Sequence, residues 1–153
     1  MSYTVRQVRL LDELGRVYPL WERHYGEMER RLLADGLPCS PFKPRTEQYV
    51  RSNEEGWLLA FLLERDGEAV GYAQGYVTQD MHNGDLIAQE DAIYVVPEHR
   101  NGAGRILLDA VHDELRRRGV KRLNITTGTD LRASKWFLRR GYKHVAHCMS
   151  ITF

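Results

Sequence analysis

The sequence predicts an α+β fold with three layers, in which helices cover both faces of a mixed, mostly antiparallel sheet. Turn-forming residues at 65–67 and 82–84 join neighbouring strands as hairpins, which makes those strands antiparallel. Helical spacing over 102–118 separates two further strands, and a helix in that place gives one parallel connection. The chain of 153 residues contains no repeat or linker, so we expect one domain spanning 1–153.

Each element follows from the spacing of its apolar residues. Alternating patterns predict strands at 3–8, 57–64, 68–78, 86–96, 122–127 and 144–153. Apolar residues three and four apart predict helices at 14–33, at 46–51, at 102–118 and from Asp130 onward. Pro19 either kinks or splits the first of these helices. Three prolines and a glycine within 35–44 predict a loop.

Composition excludes several classes of protein. No apolar run approaches the roughly 20 residues of a membrane span, and the formal charge of +1 argues against a nucleic-acid binder. Two cysteines make no disulfide framework and no signal peptide is visible, so we expect a cytoplasmic protein. The histidines show no metal-ligand spacing, so we expect no metal.

A strand, a glycine turn and a helix follow one another from residue 93 onward. The apolar run 93–96 stops at Pro97, which cannot donate to a central ladder. Gly102 and Gly104 lie in the turn, and apolar residues then recur at helical spacing from Leu107. This order points free backbone N–H groups and the positive end of a helix dipole at one place. We therefore expect the turn to bind an anion, the phosphate of a ligand.

Two common phosphate-binding loops do not fit this turn. A Walker loop needs Gly-Lys-Ser/Thr before its helix, whereas the chain reads Gly-Arg-Ile at 104–106. A dinucleotide fingerprint needs a third glycine where this chain has Leu107.

The chain instead reads Val-x-Pro-Glu-x-Arg, then Gly-x-Gly, then a helix that opens with Leu-Leu. Further on, Asp130, Ala133, Phe137 and the Gly-Tyr pair at 141–142 form a second motif with helical spacing. These two motifs resemble the coenzyme A pyrophosphate loop and the later motif of the GNAT superfamily of N-acetyltransferases, with Asp130 where Asn is usual. The resemblance is strong over the C-terminal half and weak before Glu68.

The resemblance implies a GNAT fold of about six to seven strands, with a splayed parallel pair at 91–96 and 122–127. It also implies acetyl-CoA as cosubstrate, with its pantetheine arm between those strands. Its implied coenzyme A-binding residues are Tyr94, Val95, Val96, Arg100, Asn101, Gly102, Ala103, Gly104, Arg105, Asp130, Ala133 and Phe137. A single residue separates Arg100 from Gly102, so either the loop is one residue short or His99 takes the usual first position. The paired leucines at 107–108 favour the second registration.

The resemblance implies that the general base is a carboxylate on the strand before the loop, Glu90 or Asp91. The alternative is that this adjacent pair is simply solvated near a strand bulge. Alternation places them on opposite faces, with Glu90 on the face of Tyr94, and does not decide between them. The family commonly has a Tyr general acid where this chain has Phe137, which cannot donate a proton. Either the thiolate leaves unprotonated or through water, or another donor such as Tyr94 or Tyr142 serves, or the domain does not catalyse.

Three function classes follow. The first is an N-acetyltransferase that moves an acetyl group directly from acetyl-CoA to a primary amine of a small molecule or a protein. The second is a catalytically silent acyl-CoA-binding module, which Phe137 keeps open. The third, a different nucleotide-binding α/β domain, is disfavoured by the second motif. We expect a small-molecule or peptide amine as partner, no nucleic acid and no membrane, and a homodimer is left open.

Overall fold

The computed structural model describes residues 2–129 and 131–153, which form one mixed sheet with helices on both faces. The strands are β1 (Tyr3–Gln7), β2 (Leu58–Arg65), β3 (Glu68–Gln79), β4 (Leu86–Val95) and β5 (Arg122–Asn124). The helices are α1 (Leu10–Ala34), α2 (Thr46–Glu54), α3 (Ala103–Arg117) and α4 (Leu131–Arg139). A single 3₁₀ turn, Pro97–His99, links β4 to the segment before α3.

The strands lie in the order β1-β2-β3-β4-β5. All neighbours are antiparallel except β4 and β5, which pair in parallel over Ile87–Arg122, Ala88–Leu123 and Gln89–Asn124. Helix α3 makes the crossover between these two strands. The predicted fold class is therefore confirmed, including its one parallel pair.

The core lies on both sides of the sheet. Helix α1 packs on β3, whereas α3 packs across β1 to β4 on the other side. All seven residues from Leu58 to Glu64 are buried, since β2 is covered on both faces. The largest fully buried side chains are Leu10, Val17, Leu58, Leu62, Leu63, Leu107 and Leu108. Within 2–129 and 131–153, no helix is long and apolar enough to cross a membrane.

Helix α1 is continuous through Pro19 and begins at Leu10, four residues before the predicted start. Pro19 is exposed, so water can hydrate the Gly15 carbonyl that proline leaves without an N–H donor. The Asn53 side chain explains the early start, because its Oδ1 accepts a hydrogen bond from the Leu10 N–H at 2.8 Å. An amide from α2 thus satisfies an N–H that a helix end otherwise leaves unpaired.

The strand predicted at 144–153 does not form, and the described residues give five strands instead of about six to seven. The alternating pattern is present, but a strand needs a partner ladder, and β5 offers an edge of only three residues. Val145, Met149, Ile151 and Phe153 consequently stay exposed.

Candidate active site

The glycine turn before α3 holds three free backbone donors. Gly102 has a φ of +97°, a conformation that glycine adopts at little cost, and it begins the helix. Among the described residues, no backbone acceptor takes the N–H groups of Asn101, Ala103 or Gly104. A Cβ added at Gly102 would meet nothing within 4 Å, and one at Gly104 only Val95 Cγ2 at 4.0 Å. The turn is therefore an open cradle of the size and polarity that suits a pyrophosphate.

Two arginines flank this turn, and their side chains point to different places. The Arg105 side chain forms an ion pair with Asp109 at 3.6 Å but is 71% exposed, so it is accessible to a phosphate. Arg100 instead donates to the Val95 carbonyl at 2.9 Å and pairs with Glu27 of α1 at 2.7 Å. Its guanidinium thus ties the turn to α1, and only its backbone adjoins the cradle.

The gap between β4 and β5 opens after Gln89 and Asn124, where their pairing ends. The Val96 N–H bonds the Val70 carbonyl of β3 at 2.9 Å. Because N–H directions alternate along a strand, those of Ala92 and Tyr94 also face β3, and those of Ile93 and Val95 face the gap. The backbone groups available to a pantetheine arm are consequently at Ile93 and Val95, while Tyr94 contributes its side chain to the α1 side.

A β-bulge separates the two candidate carboxylates. Gln74 pairs with Ala92 and Gly75 with Glu90, so Asp91 has no partner on β3. The extra residue reverses the alternation expected from the sequence. Asp91 lines the cavity under α1 and α2, whereas Glu90 lies on the α3 side. An interior strand glycine signals such a bulge, and at Gly75 an added Cβ would lie 3.0 Å from the Gln89 carbonyl.

Glu90 lies where the two strands part. It lines a small cavity of about 30 Å³ with apolar neighbours that include Ile93, Val111 and Leu115. Burial raises the pKa of Glu90 to about 7, with a smaller contribution from the negative charge of Asp91. The Thr126 N–H donates to Glu90 Oε2 at 3.4 Å, a long bond that opposes this rise. Glu90 is therefore a carboxyl that loses its proton near neutral pH.

Asp91 is held by a chain of hydrogen bonds that starts in the core. Trp21 Nε1 donates to Gln74 Oε1 at 3.1 Å, which turns the Gln74 amide nitrogen toward Asp91 Oδ2 at 2.7 Å. The Tyr49 hydroxyl donates to the same Oδ2 at 3.1 Å and lies 3.4 Å from Oδ1. Two good donors thus hold Oδ2, and Oδ1 has capacity for another donor.

The cavity above Asp91 has a volume of about 840 Å³ and lies between α1, α2 and the middle of the sheet. Six aromatic residues contribute to its walls: Trp21, Tyr25, Phe42, Tyr49, Tyr72 and Tyr76. Asp91 is the one acidic residue among the described residues that line it, and Lys43 and Arg45 lie at the loop side. The volume is that of a small-molecule site.

His24 also lines this cavity and was not singled out from the sequence. Its Nδ1 lies 2.8 Å from the Tyr72 hydroxyl, and its ring stacks on Tyr94 at 4.8 Å. Burial lowers the pKa of His24, so the ring is neutral at neutral pH. Gln74, Tyr49 and His24 come from three separate elements, and no local pattern in the sequence connects them.

The second motif contacts α3 through Tyr142, and the described part of the motif directs no hydroxyl into the gap. The Tyr142 hydroxyl lies 2.5 Å from His112 Nε2, and burial raises the pKa of Tyr142 to about 12. Phe137 makes an edge-to-face contact with Tyr142 at 5.2 Å. Ala133 is exposed on α4, and Asp130 lies outside the described residues. Tyr142 is thus engaged with α3, in the position of a packing aromatic.

Comparisons with known proteins agree with this geometry. The model of the acetyltransferase (GNAT) family matches residues 17–142. An aminoglycoside acetyltransferase from an uncultured soil metagenomic sample superposes with a TM-score of 0.77 at 19% identity, over 100% of this chain and 99% of that one. The ribosomal-protein-alanine N-acetyltransferase from Brucella melitensis biovar Abortus 2308 gives 0.72 at 16%, over 100% and 99%. No curated protein matches the sequence significantly.

At these identities the solved structures establish the fold, and the family model establishes the kind of enzyme. It covers more than half of the chain, including the glycine turn and the second motif. Members of this family are acyltransferases that use acetyl-CoA, and no group of metal-ligating residues is found within 2–129 and 131–153. The chain belongs to the acetyltransferase (GNAT) family.

Proposed function

We propose that this enzyme transfers an acetyl group from acetyl-CoA directly to a primary amine bound in the 840 Å³ cavity. The observation that carries the proposal is the bulge at Asp91, which places a carboxylate in that cavity beside the gap between β4 and β5. The glycine turn lies at the other end of β4, where the pyrophosphate would bind. The sites for the amine, the thioester and the phosphates would then lie in that order along β4.

The binding roles are divided between backbone and side chains. The free N–H groups of Asn101, Ala103 and Gly104, with Arg105, would hold the pyrophosphate. The N–H groups of Ile93 and Val95 face the gap and would bind the arm and polarise the thioester carbonyl. The expected contributions of Val96, Asp130, Ala133 and Phe137 remain predictions.

Asp91 is the proposed proton acceptor. An alkylammonium has a pKa of about 10.4 and must lose a proton before its nitrogen can attack the thioester carbon. Asp91 lines the cavity, and its Oδ1 would take that proton, directly or through water, while Gln74 and Tyr49 hold Oδ2. The new C–N bond forms as the C–S bond breaks, and coenzyme A leaves as thiolate or thiol. Glu90 would adjoin the leaving group, where its protonated form avoids adding a second negative charge.

The test compares Asp91→Asn with Glu90→Gln as a neighbouring carboxyl control. A general base contributes on the order of 10²–10⁴-fold, so Asp91→Asn should lower kcat at neutral pH by that amount and recover part of it at alkaline pH. Glu90→Gln should lower kcat by less than about tenfold. Release of free thiol from acetyl-CoA across an amine panel measures both. If Glu90→Gln loses the larger factor, the base is Glu90 and the assignment to Asp91 is wrong.

The same proposal treats 1–153 as a single catalytic domain in the cytoplasm. Cys39 and Cys148 are both free, which suits a reducing compartment. Fractionation with an antibody or tag would test the compartment, and size-exclusion chromatography would test for a homodimer.

A further inference from the structure

The residues that line the cavity indicate which class of amine it binds. Aromatic walls, one carboxylate and two unpaired cations occupy different parts of it. The substrate class inferred below rests on the proposed function, because it describes the acceptor of the same reaction.

The aromatic walls favour a flat, apolar body. The Trp21 and Tyr49 rings lie 5.1 Å apart, and the Tyr25 and Phe42 rings 5.3 Å apart, so two ring pairs line the space. Such surfaces bind by apolar burial and by stacking on another ring, and they give little to a polyhydroxylated sugar. Trp21 is 5% exposed and fixed by its bond to Gln74, so this wall is rigid.

The acidic end of the cavity accommodates one ammonium group. Asp91 is its single carboxylate among the described residues, and its Oδ1 has room for one donor beyond Tyr49. A polycation such as an aminoglycoside would bring further ammonium groups with no carboxylate to receive them. The acidic end therefore selects a monoamine.

The loop before α2 provides the opposite charge. Lys43 and Arg45 both line the cavity, and neither has an ion-pair or hydrogen-bond partner among the side chains of residues 2–129 and 131–153. Two unpaired cations beside one entrance attract an anion and repel a second ammonium group. The cavity is thus negative at its floor and positive at the loop.

We propose that the acceptor is a small arylalkyl monoamine that carries an anionic group, a carboxylate or a phosphate, at the end opposite its amine. The ammonium group meets Asp91, the ring lies between the aromatic walls, and the anion meets Lys43 and Arg45. This polarity also orients the substrate, because the reversed pose would place like charges together at both ends.

The experiment measures kcat/KM by thiol release for phenethylamine, para-carboxyphenethylamine and O-phosphotyramine, with sisomicin and a short peptide with N-terminal alanine as contrasting amines. We expect one of the acid-bearing amines to exceed phenethylamine by about tenfold, since each exposed charge pair contributes a few-fold. Which of the two leads identifies the anion as carboxylate or phosphate. Sisomicin and the peptide should be the poorest substrates.

Charge reversal of the loop separates recognition from folding. In the double variant Lys43→Glu/Arg45→Glu, the ratio of kcat/KM for the better acid-bearing amine to that for phenethylamine should fall by about tenfold or more. Arg51→Glu, an exposed reversal on α2 outside the cavity, is the matched control and should leave that ratio unchanged. Circular dichroism checks that all variants are folded.

The outcomes distinguish this inference from the proposed function. The substrate class is wrong, while acetyl transfer stands, if phenethylamine, sisomicin or the peptide is acetylated best. The same conclusion follows if the kcat/KM ratio is unchanged in Lys43→Glu/Arg45→Glu. If acetyl-CoA binds but no amine is acetylated, the proposed function itself fails.

Discussion

Replacing Glu90 by glutamine should stabilise the protein at alkaline pH and leave it nearly unchanged at acid pH. Burial raises the pKa of Glu90 from 4.5 to about 7, so the folded state holds this proton more tightly than the unfolded state. Stability therefore falls as pH rises from about 4.5 toward 7 and stays lower above that. Glutamine has nearly the shape of the protonated carboxyl and never ionises, so the variant escapes this loss.

The size of the effect follows from the shift. A rise from 4.5 to about 7 corresponds to about 3 kcal/mol at pH 8, because each pKa unit is about 1.4 kcal/mol. At pH 5 the same linkage gives less than about 1 kcal/mol. Solvent reaches part of this side chain, so about 1–3 kcal/mol is expected at pH 8. For a chain of this size, that is a rise in Tm of roughly 3–10 °C.

Thermal unfolding at pH 5 and pH 8 measures the difference between wild type and Glu90→Gln. The control is Glu22→Gln, an exposed carboxyl on α1, which should shift Tm equally at both pH values. The pH-dependent contributions of the other titratable groups to Tm are the same in wild type and Glu90→Gln, so they cancel in the difference. A Glu90→Gln curve that runs parallel to wild type, or falls below it at pH 8, would refute the burial argument for this carboxyl.

The other predictions concern the cosubstrate turn, the second motif and the support of Asp91. Gly104→Val should abolish acetyl-CoA binding in calorimetry while Tm changes little, whereas Gly102, with a φ of +97°, would also strain its backbone if changed to valine and gives no clean test. Retained affinity in Gly104→Val would exclude the turn as the pyrophosphate site. Phe137→Leu should cost about 1 kcal/mol of packing and leave kcat within a few-fold, and a large loss of turnover at unchanged stability would contradict this. Tyr142→Phe should destabilise by about 1 kcal/mol by removing the hydroxyl from His112, with kcat again nearly kept; a collapse of kcat would make Tyr142 the acid. Trp21→Phe removes the donor that orients the Gln74 amide, so kcat/KM should fall by about tenfold with an altered pH profile, and an unchanged profile would remove Trp21 from the positioning chain.

The two hairpins and the parallel pair were predictable because they depend on local signals. Alternation, the turn residues at 65–67 and 82–84 and the helix between the last two paired strands indicate these three pairings. The pairing of β1 with β2 joins distant residues and was not predicted. The prediction of a strand at 144–153 was wrong, because strand formation there depends on contacts with distant residues. Its alternating pattern reports a preference, and whether a strand forms depends on a partner edge elsewhere.

The glycine turn before α3 was predicted from the sequence as a motif, whereas the cavity above Asp91 was not. The turn is built from consecutive residues, so its glycines and free N–H groups are local properties. The cavity joins Trp21, Tyr49, Gln74 and Asp91 across α1, α2, β3 and β4, and only the fold brings them together. The Arg100 side chain likewise reaches Glu27 on a helix far away in the sequence.

The sequence placed Glu90 on the face of Tyr94, and this expectation was wrong because alternation assumes an unbroken ladder. The bulge depends on the partner strand, where Gly75 allows the close approach of β4. The sequence shows that residue 75 is a glycine, but only the register between β3 and β4 shows that this glycine lies opposite Glu90.

The bulge also affects how this enzyme is aligned with its relatives. A relative whose β4 has no bulge has one residue fewer between the point where β4 and β5 part and the glycine turn. An alignment without an insertion would therefore equate Asp91 with a residue that faces α3. Counting back from the glycine turn gives the right equivalences only as far as Ala92. For residues before Ala92, the alignment must allow an insertion of one residue, since otherwise the Asp91 carboxylate would be assigned to the wrong side of the sheet.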